Sequence, residues 1–201
     1  IQNDPELKDY SVVIFDEFHE RSLQNDLGFV LTMEVQENYR PDLRLLLMSA
    51  TPDPSFLERC NTFKALSVPG KMFPVEIGYL PPGYGEKLEA AASRAVKRLL
   101  NEAEGDVLVF LPGLAEIENT RRALGIIGGV EILTLHGSLT KEEQDRVLFP
   151  GEGRRVILSS AIAESSLTVP NVRCVVDSGL SRFSVYDPAS AIDRLETRSS
   201  D

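Results

Sequence analysis

Val12-Val13-Ile14-Phe15-Asp16-Glu17-Phe18-His19-Glu20-Arg21 decides the fold. The apolar run that begins at Tyr10 and ends at Phe15 reads as a buried strand, and it stops on two consecutive carboxylates. In open α/β sheets, ligands gather beyond the carboxyl ends of the strands. A carboxylate at that edge can hold a Mg²⁺ carrying nucleotide phosphates while its neighbour polarises an attacking water. An acidic pair after a strand is also an ordinary way to open a loop. His19, Arg21 and the next apolar run, Leu43 to Met48 ending in Ser49-Ala50-Thr51, favour the chemical reading.

Outward from this stretch, short apolar runs alternate with helical periodicity, the pattern of parallel sheets flanked by helices in the α/β class. Leu23, Leu27, Val30 and Leu31 recur at helical spacing behind Ser22, a predicted N-cap. Pro52 and Pro54 break the chain before a short helix near Phe56-Leu57, and Ala65 to Val68 is a third apolar run. Pro69, Pro74, Pro81 and Pro82 interleave with Gly70, Gly78, Gly83 and Gly85, which predicts a domain boundary at 69/70. Val75 to Tyr79, inside that stretch, reads as a strand. Beyond it, Leu88, Ala92, Ala95, Val96, Leu99 and Leu100 form one face of a helix predicted to end at Gly105. Strands are predicted at 107–111, 130–135, 156–158 and 172–176, with a helix over 114–124. Thr140 and Glu143 form a capping box opening another. Segments 180–186 and 192–198 flank Asp187-Pro188-Ala189-Ser190, which predicts a β-hairpin.

Composition bounds the rest. With 42% hydrophobic and 26% charged residues over 201 positions, the chain is an ordinary globular sequence, neither disordered nor collagen-like. No apolar run approaches the roughly 20 residues that span a bilayer, so no membrane partner is expected. Cys60 and Cys174 lie far apart without metal-ligand spacing, so a cytoplasmic setting is expected and Cys174 reads as a buried thiol. The net charge is −10, of which residues 1–69 carry −6 from 6 basic and 12 acidic side chains. That balance opposes a basic nucleic-acid coat. Arg121-Arg122 and Arg154-Arg155 read as solvated faces, and His136 as either a satisfied loop histidine or part of a site. The first and last residues read as the ends of an excised piece.

These motifs resemble, in order, those of the DEAH-box ATP-dependent RNA helicases, most nearly the bacterial HrpB type. Asp16-Glu17-Phe18-His19 is similar to motif II, with Phe18 replacing the usual Ala, and Ser49-Ala50-Thr51 to motif III. Residues 107–113, 135–139 and 158–168 resemble motifs IV, IVa and V, and 175–180 the approach to the family's β-hairpin. The resemblance implies a RecA-like P-loop NTPase/helicase architecture. Residues 1–69 would be the C-terminal part of a first RecA-like domain; 70–201 would be a nearly complete second one, stopping before motif VI. It implies ATP and Mg²⁺ as cofactors and RNA, single-stranded or duplex with an overhang, as partner. By the same resemblance Asp16 would hold the metal, usually through water, Glu17 would be the general base, and His19 would complete the catalytic set. Ser49 and Thr51 would couple hydrolysis to strand handling. Gly113, Ser138, Ser160 and Ser165 would contact the nucleic-acid backbone, Ser166 and Thr168 the nucleotide. Small hydroxyls and backbone N–H groups grip phosphates without reading bases, which suits an acidic protein stepping along any sequence.

The pattern is incomplete. The only Gly-Lys, Gly70-Lys71, has Ala65 and Met72 where a phosphate-cradling loop needs Gly and a hydroxyl. The arginines of motif VI are absent, and Ser160-Ala161 stands where Thr-Asn is usual. The 201-residue chain alone is therefore expected to be inactive, and its open first sheet to self-associate through exposed edge and apolar surface. Two other readings stay open: a non-catalytic nucleic-acid-binding scaffold with a helicase-like fold, and a DNA-directed helicase.

Overall fold

β1 (Val12–Phe15) and β2 (Arg44–Leu47) pair in parallel, Val12 opposite Arg44 and Phe15 opposite Leu47. The computed structural model describes residues 4–51, 55–56, 63–70, 73–160, 168–187 and 192–199. The chain divides into two compact units, Ile1–Pro74 and Val75–Asp201. In the first, α1 (Leu23–Asn38) covers one face of the two strands, and Ser22 Oγ accepts from Asn25 N–H as its cap. The strand period of two sends Val13 and Phe15 into this core, while Val12 and Ile14 are 45% and 55% exposed. The run from Tyr10 is thus covered on one face only among the described residues.

The predicted apolar stripe of α1 is corrected. Leu23, Leu27 and Val30 face outward, and Phe29, Thr32 and Val35 are buried. This helix has apolar residues on both sides, so periodicity admits two faces. An aromatic cluster selects one: the Phe29 ring lies 5.7 Å from Phe15 and 5.3 Å from Phe18, edge-on to both.

The second unit begins with α2 (Leu88–Glu102) and β3 (Asp106–Phe110), followed by α3 (Leu114–Leu124), β4 (Val130–Leu135) and α4 (Lys141–Leu148). β5 (Arg154–Ser159) and β6 (Val172–Asp177) complete a four-stranded parallel sheet in the order β4-β5-β3-β6. Side-chain alternation builds three layers. Val107, Val109, Val156 and Leu158 point to one face and pack with Val96 of α2 and Ile117 of α3. Leu108 and Ile157 point to the other face and meet Val147 of α4. Burying each such side chain stabilises the fold by about 1.5–3 kcal/mol. Thr140 closes its capping box, donating to and accepting from Glu143, and these bonds lower the Glu143 carboxyl below its usual range. Cys174 is buried, as expected. β7 (Leu180–Asp187) and β8 (Ile192–Ser199) form the antiparallel hairpin, with Leu180 opposite Ser199.

Three expectations give way here. Val75 to Tyr79 is not a strand: it has no pairing partner among the described residues, and Val75, Ile77 and Tyr79 are 74–90% exposed. α2 stops at Glu102, three residues before Gly105, which instead takes a left-handed φ of 82° leading into β3. Arg154 and Arg155 are not a solvated face. Arg154 donates to the carbonyls of Leu99, Leu100, Ala103 and Gly105, satisfying the last turn of α2. Arg155, 1% exposed, pairs with buried Asp106 at 2.7 Å and donates to the carbonyls of Val147, Phe149 and Pro170.

Candidate functional site

In the first unit, the carboxyl ends of β1 and β2 are stitched together. Met48 N–H donates to Phe15 O at 2.8 Å, and Phe18 N–H donates back to Met48 O at 3.0 Å. That exchange brings Asp16 and Glu17 beside the start of Ser49-Ala50-Thr51. Ser49 Oγ donates to Thr51 O at 2.8 Å, closing a small turn. Asp16 is exposed, and its Oδ1 accepts from Glu17 N–H at 2.8 Å, its one hydrogen bond among the described residues. Glu17 holds a left-handed φ of 49°, a conformation costing a non-glycine residue about 1 kcal/mol or more. Its carboxylate lies 3.4 Å from His19 Nδ1, with both side chains partly exposed. The geometry therefore gathers Asp16, Glu17, His19, Ser49 and Thr51 at one sheet edge.

What holds that strained turn is Phe18, whose mark in the sequence is only a departure from the usual Ala. Phe18 is 6% exposed and lies 5.1 Å from the Phe56 ring, beyond the Ser49–Thr51 turn. The Arg21 guanidinium sits 5.6 Å over Phe18 and 5.9 Å over Phe56 while pairing with Asp26 at 3.0 Å. Five of the nine phenylalanines (15, 18, 29, 56 and 63) meet in this one cluster. Their crowding into the first 63 residues was the available signal.

Could this edge hold a metal? Among the described residues no group of three or more His, Cys, Asp or Glu is arranged around an ion. Mg²⁺ keeps most of its waters and takes one or two carboxylates plus substrate phosphates, so it needs no protein cage. A single exposed carboxylate, oriented by a backbone N–H, fits that demand.

In the second unit, the carboxyl ends of four parallel strands form another edge. Leu111 N–H donates to Ser159 O, Ser160 N–H to Leu135 O, and Ser178 N–H to Phe110 O. Ser159, fully buried, has its hydroxyl 3.2 Å from Leu135 O and 2.8 Å from Ser160 O. His136 is half-buried, with Nδ1 2.9 Å from Ser138 Oγ, so it belongs to the loop that orients that hydroxyl. Gly113, Ser138 and Ser160 share this edge. Gly113 itself is buried beneath the side chain of Arg182, with Nη1 only 2.8 Å from where a Cβ would stand. Thr168 is exposed and lies two residues before Pro170, whose carbonyl Arg155 holds at the opposite end of β5. No described bond joins it to the others. Ser165 and Ser166 lie outside the described residues.

Comparison with known proteins matches residues 91–196 to the family described as the helicase conserved C-terminal domain. Over 203 residues the chain is 39% identical to the ATP-dependent RNA helicase HrpB of Escherichia coli strain K12, covering 98% of this chain and 25% of that protein. It is 38% identical over 206 residues to the ATP-dependent RNA helicase HrpA of the same strain, covering 97% of this chain and 16% of that protein. The crystal structure of the Escherichia coli DEAH/RHA helicase HrpB superposes with a TM-score of 0.89 at 38% identity, covering 99% of this chain and 26% of that one. The chain thus spans about a quarter or less of these relatives. The fold is α/β with the RecA-like helicase architecture, as the sequence motifs predicted.

Proposed function

Because the chain belongs to the helicase conserved C-terminal domain family, we propose that the protein carrying it is a DEAH-box ATP-dependent RNA helicase. It would couple ATP hydrolysis to translocation on, or unwinding of, RNA. The observation that carries this reading is the edge where Asp16 and Glu17, set by the Phe18 turn, lie beside Ser49–Thr51. Within it Asp16 would hold Mg²⁺, and Glu17 would accept the proton of the hydrolytic water. The bound ion supplies charge neutralisation on the transferred phosphate. His19 contacts the Glu17 carboxylate and orients it. Residues 1–69 are assigned to a first RecA-like domain and 70–201 to a second. In the second, Ser138 and Ser160 present hydroxyls to RNA phosphates, with Gly113 and Ser165 completing that contact. Ser166 and Thr168 serve the nucleotide. The protein would work in the cytoplasm; among the described residues no helix is long and apolar enough to cross a membrane.

This chain carries no phosphate-cradling loop, so the 201 residues alone should not turn over ATP. The test is ATPase activity of the full-length protein with and without single-stranded RNA or DNA. Glu17→Gln should abolish turnover while ATP binding persists. Undiminished hydrolysis removes Glu17 as the base, and stimulation by DNA alone supports a DNA-directed motor. Absence of any stimulated ATPase favours the scaffold.

A further inference from the structure

Among the described residues β7 and β8 pair with each other and with no other strand, so the sheet ladder does not set the direction in which the hairpin points. A two-stranded hairpin by itself is only marginally ordered in water. Among the described residues its root is fixed at two places. The first is the turn out of β6, where Gly179 takes a φ of 67°, its N–H donates to Asp177 Oδ1, and Ser178 N–H donates to Phe110 O. The second is Arg182, whose Nη2 donates to Glu116 Oε1 at 3.0 Å, joining residues 66 apart in sequence.

The second contact has three features of a built fastening. Both side chains are partly buried, Arg182 at 34% and Glu116 at 26% exposure, where a charge-assisted bond is screened less than at an open surface. Glu116 Oε2 is buried with no hydrogen-bond partner, so the carboxylate depends on this guanidinium for its counter-charge. The guanidinium also covers Gly113, its Cζ 3.1 Å from the position a Cβ would take. The hairpin, the Gly113 loop and the first turn of α3 are clasped by one side chain.

We propose that Arg182 and Glu116 form a latch that sets the orientation of the hairpin against the Gly113 loop, making Arg182 a positioning residue for strand separation. The functional part of this rests on the helicase reading above; the latch itself does not. Without the pair the hairpin keeps, among the described residues, the Asp177–Gly179 turn, and it loses its set direction. ATP hydrolysis then proceeds but no longer drives strands apart efficiently.

The test uses the full-length protein with Arg182→Gln, Glu116→Gln, and the reversed pair Glu116→Arg with Arg182→Glu. Unwinding of an RNA duplex with a single-stranded overhang is measured per ATP hydrolysed, and hydrogen exchange is followed over residues 180–187. Each single variant should keep RNA-stimulated ATPase, lose about tenfold in unwinding per ATP and exchange its hairpin amides faster, a scale set by coupling across one charged pair. The reversed pair should recover most of both losses. Arg182→Lys, which keeps the charge, stands in if a single variant fails to fold, and should behave like the reversed pair. Unchanged hairpin exchange in the single variants, or a reversed pair no better than they are, overturns the latch. A wild-type protein that does not unwind RNA removes the helicase reading, and hairpin exchange still decides the latch.

Discussion

Asp106→Asn removes the counter-charge of Arg155 while keeping the side chain's size. The pair is sealed at the head of β3 and β5: each side chain is 1% exposed, and the carboxylate accepts from both Arg155 Nε at 2.7 Å and Arg155 N–H at 2.8 Å. Breaking a buried pair from one side costs about 3–5 kcal/mol, because a charge stays behind without compensation. Arg155 keeps the carbonyls of Val147, Phe149 and Pro170, so the lower end of that range applies, about 3 kcal/mol. That is roughly a hundredfold in the folding equilibrium. Two compact units need not unfold together, so a probe local to the second unit is required. Cys174 supplies it, being 8% exposed in the core that includes Val107 and Val156. In a Cys60→Ser background, thiol labelling of Cys174 across a urea series should show the midpoint falling by about 1–3 M for slopes of 1–3 kcal/mol per M. Replacing both partners, Asp106→Leu with Arg155→Met, should not restore the stability, since the backbone N–H of position 155 and the carbonyls of Val147, Phe149 and Pro170 then lose their partners inside the fold. A single variant with an unmoved midpoint, or a double variant as stable as the unsubstituted protein, would refute the reasoning.

Phe18→Ala installs the residue more usual in the resembled family, yet it should destabilise the first unit by about 3–5 kcal/mol by emptying the centre of the phenylalanine cluster. Urea unfolding followed by hydrogen exchange over residues 29–35 reads it, and a neutral result would mean the cluster closes over the gap. The Arg94 guanidinium beside Glu86, helped by Gly83 N–H, holds the Glu86 carboxyl down at about 2 from 4.5. A carboxyl lowered on folding stabilises fully above its unfolded pKa. This contribution should therefore be lost only as pH falls from about 4.5 towards 2. A carboxyl carbon titration of Glu86 with a midpoint near 4.5 in the folded chain would contradict the clamp. Among the described residues, Val12, Ile14 and Leu46 present an uncovered apolar face, 45–55% exposed, on the two-stranded sheet. We expect the 201-residue chain to self-associate through it. Sedimentation should show oligomers that Ile14→Glu dissolves, and monomers at all concentrations would rule this out.

The sequence was legible wherever neighbours along the chain decide the outcome. Ser22 and Thr140 announced helix starts because a cap needs only a hydroxyl and an N–H three residues on. The central strands β3 and β5 announced themselves because burial on both faces demands uninterrupted apolar runs, and Val107 to Val109 obeys that demand. The acidic doublet was legible for the same local reason, since it follows directly on β1. Val75 to Tyr79 failed because alternation describes a strand's fitness to pair and says nothing of whether a partner exists. The α1 stripe failed because a helix apolar on two sides leaves the choice to residues elsewhere, here Phe15 and Phe18.

The arginines failed in a more instructive way. Adjacent Arg154 and Arg155 look alike in sequence, but consecutive strand positions face opposite sides, and neither faces water here. One finds the open end of α2 about 50 residues back; the other finds Asp106, 49 residues back. Arg182 is a third case, its meaning set by a glutamate 66 residues upstream and by the missing Cβ of Gly113. A glycine that the motif pattern marks as a nucleic-acid contact is, in this fold, also the seat of a guanidinium. The two roles are compatible if the loop's backbone N–H groups face the edge while Arg182 covers its other side. Substituting Gly113 would then strike the latch and the phosphate contact together. Only variants at Glu116 and Arg182, which leave that loop's backbone intact, can separate how the hairpin is held from the proposed RNA contact.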